Sequence, residues 1–145
     1  MRASGGTRLG AAGISMGTRF TASRESLWEE AMKEAALTAG GDQTEQTRVF
    51  DIVRGLPRPA IYPGRALRNA FSSNWSGRKD ELAADQPARE KAYLATAPDD
   101  FATRVLWAGE SVDLVNDLPA ASAIIERIIA QAVATLAEGA LLIHP

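Results

Sequence analysis

The sequence predicts an α/β fold that is mostly helical, and three observations carry this reading. A short apolar run near the front, residues 11–16, stops at Gly17-Thr18 and is followed by a helix signal. A long amphipathic segment, residues 117–139, lies near the end. Between them strand-forming stretches are few, and one or two strands cannot build a buried sheet on their own.

Taken in order, AAGISM (11–16) is apolar, partly β-branched and bounded by Gly10 and Gly17, which fits a buried strand. SRESLWEEAMKEAALTAGG then carries Ser26-x-x-Glu29, the spacing at which a serine and a glutamate cap each other's backbone amides. Trp28, Met32, Ala35 and Ala36 mark an apolar stripe, acids crowd the first turn, and Gly40-Gly41 stops the segment, so a helix is predicted over 26–38. In TRVFDIVRGLP, the strand formers Val49, Phe50, Ile52 and Val53 predict a strand closed by Gly55 to Pro57. RPAIYPGR is irregular, and GRALRNAFSSNW reads as a short helix with Ala66, Leu67, Ala70 and Phe71 on adjoining turns. SGRKDELAADQPARE is polar surface, PAREKAYLATAP a further short helix closed by Pro98, and FATRVLWAGESVDLV a mixed stretch broken at Gly109. In the last segment Ile124, Ile125, Ile128, Ile129, Ala132, Val133 and Leu136 form one broad stripe. Asp117 is placed to cap this helix, Pro119 to sit in its first turn and Gly139 to end it.

Composition excludes several function classes. The chain has 145 residues, 46% hydrophobic and 23% charged, which is globular. Its net charge is -2, with arginines interleaved with acids, so no basic face for nucleic acid is expected. It has no cysteine, which removes disulfides, zinc-thiolate sites and thiol nucleophiles and makes the cytoplasm the expected compartment. No apolar run approaches the roughly 20 residues a membrane helix needs, so no membrane is expected as a partner.

Gly17-Thr18 is where chemistry enters. The start of a helix exposes backbone amides at the positive end of its dipole, glycine puts no Cβ in the way of an anion, and threonine adds a hydroxyl. A strand, a Gly-Thr turn and a helix repeat the layout of the phosphate site at the end of a (β/α)8 barrel. By itself the motif is weak, since Gly-Thr after a strand is more often a plain turn, and Arg19 beside it is more often an exposed arginine than a charge partner.

GAAGISMGTRF (10–20) resembles the final barrel strand of the FMN-dependent nitronate monooxygenases, whose segment has the form Gly-Ala-x-Gly-x-x-x-Gly-Thr-Arg-Phe. WEEAMKEAAL is similar to that family's following helix. TRVFDIVRGLP with GRALRNAF is similar to its strand, Gly-x-Pro and Arg-Ala-x-x-Asn-x-Phe stretch, and WAGESVDLVNDLPAASAIIERIIAQAVATL to its closing segment. Four such stretches in the right order span residues 10–138. The resemblance implies the C-terminal fragment of an FMN-binding (β/α)8 (TIM) barrel, mostly helical as it stands. It divides into a last barrel strand, phosphate turn and helix (10–40), a small inserted subdomain (41–115) and a closing helix (116–139). It implies that Ser15, Met16, Gly17 and Thr18 hold the FMN phosphate, mainly through the Gly17 and Thr18 amides. It further implies a flavoenzyme that oxidises alkyl nitronates with dioxygen. FMN-dependent enoyl reductases share much of the pattern and form the alternative within the class.

The resemblance is incomplete. A whole barrel takes about 250 residues, and the first seven strand-helix units have no counterpart in this chain. MRASGGTRL continues the family pattern poorly, which points to a truncated or mis-assigned start. The family's catalytic histidine belongs to an earlier part of its sequence. The one histidine, His144, matches no family position and reads as tail, so no catalytic residue is assigned. Asp99-Asp100 and Asp113/Asp117 read as turn and cap residues, and no metal site is assigned. Arg65 and Asn69, four apart, face one side if their segment is helical, with a structural tie the stronger reading than a substrate contact. Trp75 and Trp107 fit core packing better than a flavin pocket, and Gly109 is a simple turn or an approach to the cofactor. Without flanking strands the first strand would have bare edges, a route to self-association. The chain is accordingly expected to be inactive alone. The competing expectation from a different class is a non-catalytic remnant or interaction fragment. A free-standing phosphate-binding module would need a complete sheet that the sequence does not supply.

Overall fold

The computed structural model describes residues 13–141. In chain order these form helix α1 (Thr18–Thr21), helix α2 (Glu30–Thr38), a 3-10 turn (Gly41–Gln43), strand β1 (Thr44–Thr47) and helix α3 (Val49–Val53). Strand β2 (Gly64–Leu67) and helices α4 (Ala70–Trp75), α5 (Lys79–Ala84) and α6 (Gln86–Ala95) follow. A second 3-10 turn (Glu110–Leu114) leads to helix α7 (Ala121–Leu141).

The described part of the first predicted strand, residues 13–16, is neither strand nor helix, and residues 11 and 12 lie outside the described set. A strand exists only where a neighbour takes its hydrogen bonds, and the sheet of the described residues is the antiparallel pair β1–β2 alone. Thr44 lies opposite Leu67 and Thr47 opposite Gly64. Ala66 adds a bridge to Trp107, so the 106–108 segment lies along the outer edge of β2.

The predicted strand at 49–53 is a helix, and the strand lies just before it. The Thr47 hydroxyl accepts the Val49 N–H (3.2 Å), which turns the chain out of β1. At the other end Gly55 adopts φ +59°, the Gly55 N–H donates to the Ile52 carbonyl (3.0 Å) and the Leu56 N–H to the Asp51 carbonyl (2.9 Å). This pair of bonds is the Schellman closure, which needs a left-handed residue and therefore favours glycine. Helical geometry gathers Val49, Phe50 and Val53 on one fully buried face; a strand would have sent Phe50 to the opposite side.

Residues 64–75 likewise form strand then helix, where one short helix was expected. Asn69 makes the break: its Oδ1 accepts the Ser72 N–H (2.8 Å) while its own N–H donates to Ser72 Oγ (3.1 Å), a reciprocal cap for α4. The polar 76–90 stretch is helical as well, because Leu82 of α5 is fully buried. Helix α2 begins at Glu30 and not at Ser26. The Ser26 hydroxyl accepts from the Trp28 N–H (3.2 Å) and makes a local turn in place of the expected capping box. Gly139 does not end α7, which runs on to Leu141.

Two apolar clusters hold the described fold. One joins Val49, Phe50, Val53, Ala66, Trp75, Leu82 and Tyr93, with Phe71 and Trp107 packed against it. Phe50 is central to it: its ring lies 6.0 Å from Phe71, stacked, and 6.0 Å from Trp107, edge-on. The other joins Ala36, Leu106, Ala108 and Val112, and the predicted stripe Trp28, Met32 and Ala35 packs onto it.

Candidate functional site

The candidate site is the turn that leads into α1. The Gly17 carbonyl accepts from the N–H groups of Phe20 (2.9 Å) and Thr21 (3.2 Å), which closes a helix of four residues. Two long-range ties hold this turn to the return segment. The Thr18 hydroxyl oxygen accepts the Gly109 N–H (2.9 Å). The Arg19 guanidinium donates to the Asp117 carbonyl (2.9 Å) and pairs with its carboxylate.

The turn so held contains the four residues singled out in the sequence. Among the described residues none accepts a hydrogen bond from the N–H of Ser15, Met16, Gly17 or Thr18. Ser15 and Gly17 are exposed, and Met16 and Thr18 half-buried. A Cβ at Gly17 would meet no atom within 4 Å. The Thr18 hydroxyl still carries a proton to donate, since its bond to Gly109 uses only a lone pair. Arg19 is not the exposed arginine expected: its side chain is 11% exposed and committed to Asp117.

Asp117 does not cap α7. Its carboxylate bridges Arg19 and Arg127, and the Arg127 hydrogen bond, aided by the Arg19 charge and opposed by partial desolvation, holds its carboxyl below the usual range. The cap comes from Glu25, whose Oε2 accepts the Ala121 N–H (2.8 Å). That bond likewise lowers the Glu25 carboxyl. Pro119 precedes the helix, and its carbonyl accepts from the Arg24 N–H (3.1 Å). The turn before α1, the 109–117 segment and the start of α7 are thus one hydrogen-bonded assembly.

The remaining candidates are structural. Arg65, on β2, pairs with Glu110 (3.0 Å) and donates to the Thr44 hydroxyl (3.1 Å). Asn69, besides its capping bonds, donates from Nδ2 to the Arg104 carbonyl (3.0 Å). The two share no helix face. Trp75 is a core residue, and Trp107 packs on Gly64 while edging an open groove of about 430 Å³ beside Trp28 and Met32. Asp113 accepts the Gly41 N–H (2.6 Å), and Asp100 accepts from Ala102 (3.2 Å). No group of three His, Cys, Asp or Glu side chains among the described residues could hold a metal ion. His144 lies outside the described residues.

Two buried charges escaped sequence reasoning. Lys33, 3% exposed, reaches from α2 to Glu30 Oε1 (2.8 Å) and the Arg24 carbonyl (3.3 Å). Asp51, 1% exposed on α3, has Arg58 Nε at 3.1 Å. The Gly109 tie to Thr18 was half visible: the glycine stood out as a break, but nothing in the chain pointed to its partner 91 residues away.

This arrangement is that of a mostly helical α/β chain forming part of a (β/α)8 barrel. Solved structures of FabK from Thermotoga maritima share the fold. The M276A mutant matches with TM-score 0.66 and 25% identity over 94% of this chain and 39% of that one. A second FabK structure gives 0.65 and 26% over 91% and 40%. The family model described as nitronate monooxygenase matches residues 6–131. A curated nitronate monooxygenase of Neurospora crassa is 31% identical over 130 residues, 86% of this chain and 32% of that protein. The chain belongs to the nitronate monooxygenase family. It spans about a third of the curated relative's length and about two fifths of each solved chain. Among the described residues no helix is long and apolar enough to cross a membrane.

Proposed function

We propose that this chain is the C-terminal part of an FMN-dependent oxidoreductase of the nitronate monooxygenase type, and that it supplies the phosphate grip. The observation that carries this is the row of amides from Ser15 to Thr18 for which no acceptor is found among the described residues. Successive N–H groups beside a glycine suit a phosphate, which needs several donors and close backbone approach. These residues fit the phosphate end of FMN: Gly17 and Thr18 would hold it by their amides, Ser15 and Met16 would complete the turn, and the Thr18 hydroxyl would add a donor. When bound, the flavin supplies the electron transfer by which an alkyl nitronate is oxidised with dioxygen.

The chain's own contribution is binding and orientation. Thr18 is tied to Gly109 and Arg19 to Asp117, so the turn would be held in place before an anion arrives. No proton-transferring residue is assigned, and the chain would divide into the last strand, phosphate turn and helix (10–40), a small inserted subdomain (41–115) and a closing helix (116–139). Nitronate turnover is accordingly expected to be absent from the purified chain and to need the part of the fold it does not span.

Titration of the 15N-labelled chain with FMN tests the grip. The Gly17 and Thr18 amide signals should shift with FMN and, more weakly, with inorganic phosphate. Riboflavin, which lacks the phosphate, should leave them in place. Equal shifts with riboflavin, or none with FMN, overturn the assignment. Measurable nitronate oxidation by the chain alone overturns the expectation of inactivity.

A further inference from the structure

A groove of about 430 Å³ opens at the seam of the two apolar clusters. Trp28 and Met32, from the cluster around Ala36, line it together with Tyr93 and Trp107, from the cluster around Phe50. Leu27 and Leu94, 101% and 56% exposed, stand in the same lining. Concavities of this size with mostly apolar and aromatic walls suit small molecules, and a few polar groups then decide which one. The polar groups here are short of negative charge. Arg54, at the end of α3, is half-buried, and among the described residues its side chain has no hydrogen-bond or ion-pair partner. Arg104 is committed to carbonyls: its Nη2 donates to Leu94 (3.0 Å) and Thr96 (2.8 Å) and its Nε to Ala97 (3.4 Å). No carboxylate among the described residues pairs with it. Glu29 is the acid of the lining, exposed and paired with neither arginine, so one positive charge is left in excess. Tyr93 is 3% exposed; its hydroxyl accepts the Val105 N–H (2.9 Å), and its own proton has no acceptor among the described residues.

We propose that this groove binds a small aromatic carboxylate, its ring system against Trp28 and Trp107 and its carboxylate paired with Arg54. Three observations select that ligand. Indole rings line the groove from both clusters, and their faces favour a flat apolar body. The single positive charge in excess matches a monoanion. The free guanidinium is planar and offers paired donors in the geometry of a carboxylate. The lining shares no residue with the 15–18 turn, so the inference stands apart from the flavin reading and survives its failure.

The test is titration of the full 15N-labelled chain with 2-naphthoate, followed at the indole N–H signals of its three tryptophans. The Trp28 and Trp107 signals should shift and saturate. Trp75, in the core at 6% exposed and outside the lining, should stay in place. 2-Naphthalenemethanol, which has the same rings and no charge, should bind at least tenfold more weakly. Arg54→Gln should weaken naphthoate at least tenfold and Arg54→Lys should restore much of it. Because no side chain among the described residues depends on Arg54, both variants should keep the circular dichroism and melting of the parent chain. If Arg54→Gln unfolds nonetheless, the comparison of acid and alcohol on the parent chain decides. Four results overturn the proposal: no saturable shift, equal binding of the alcohol, naphthoate binding indifferent to Arg54→Gln in a folded variant, or a Trp75 shift as large as the other two. Trp28 and Trp107 signals that move with protein concentration alone would assign the groove to a second copy and overturn it as well.

Discussion

Glycine and aspartate make the sharpest statements at the scale of single residues. A Cβ on Gly64 would stand 2.3 Å from Trp107 Cζ3, inside a ring that also packs on Phe50. Gly64→Ala should therefore cost about 1–3 kcal/mol in urea unfolding, the usual penalty of overpacking. Gly17→Ala meets nothing within 4 Å and should change stability by no more than about 0.5 kcal/mol. The two substitutions separate a glycine required for packing from one whose Cβ position is open. Asp117 makes the pH prediction. Its folded carboxyl lies below the ordinary value of 3.8, so the stability from its pairing with Arg127 and Arg19 is complete above that value. It is lost as pH falls through the lowered folded value. Acid titration from pH 7 towards 2 should loosen the junction of α1 and α7. Asp117→Asn should reduce the acid dependence while lowering stability at pH 7; an unchanged acid profile would contradict the assignment. Lys33 and Asp51 mark the limit of legibility here. Each looks like an ordinary surface charge in sequence, and only the packing of distant segments shows that it is buried.

Helix termini separate what local patterning specified from what it did not. The apolar stripe of α2 was legible, because Trp28, Met32, Ala35 and Ala36 recur at helical spacing and pack as that spacing requires. Its start was not, because Lys33 Nζ draws the Arg24 carbonyl onto the helix side and holds residues 23–25 in turns. Two caps follow from the structure. Ser26→Ala should leave the helical signal nearly unchanged, since its hydroxyl serves only a local turn. Glu25→Ala should fray the start of α7, seen as lost protection of the 121–124 amides in hydrogen exchange. Equal effects of the two would contradict the assignment. At α3, Gly55→Ala should cost about 1 kcal/mol, the penalty of a side chain in the left-handed region. VFDIV alone does not distinguish strand from helix, being short and continuously apolar. The Gly55 closure and the burial of Phe50 beside Val53 decide for helix.

For the whole molecule, the fold depends on one aromatic centre and leaves a long helix half-covered. Phe50→Ala should cost about 3–5 kcal/mol, since the ring joins α3 to Phe71 and to Trp107. A loss of that size is a large part of the stability of a domain of this length and should be visible as a collapsed thermal transition.

The sequence by itself determined the class of the chain, mostly helical α/β, and its membership of the family, because residue order in the motifs survives without the surrounding fold. It also singled out Gly17-Thr18 as the candidate turn, which needs only local chemistry to be noticed. Tertiary structure decided whether residues 13–16 have a strand to pair with, and there the described residues offer none. It decided that Arg19 serves Asp117, and that Glu25 rather than Asp117 caps the last helix. Each of these depends on groups far apart in the chain, and their meeting is set by how the two apolar clusters close, which no local pattern encodes.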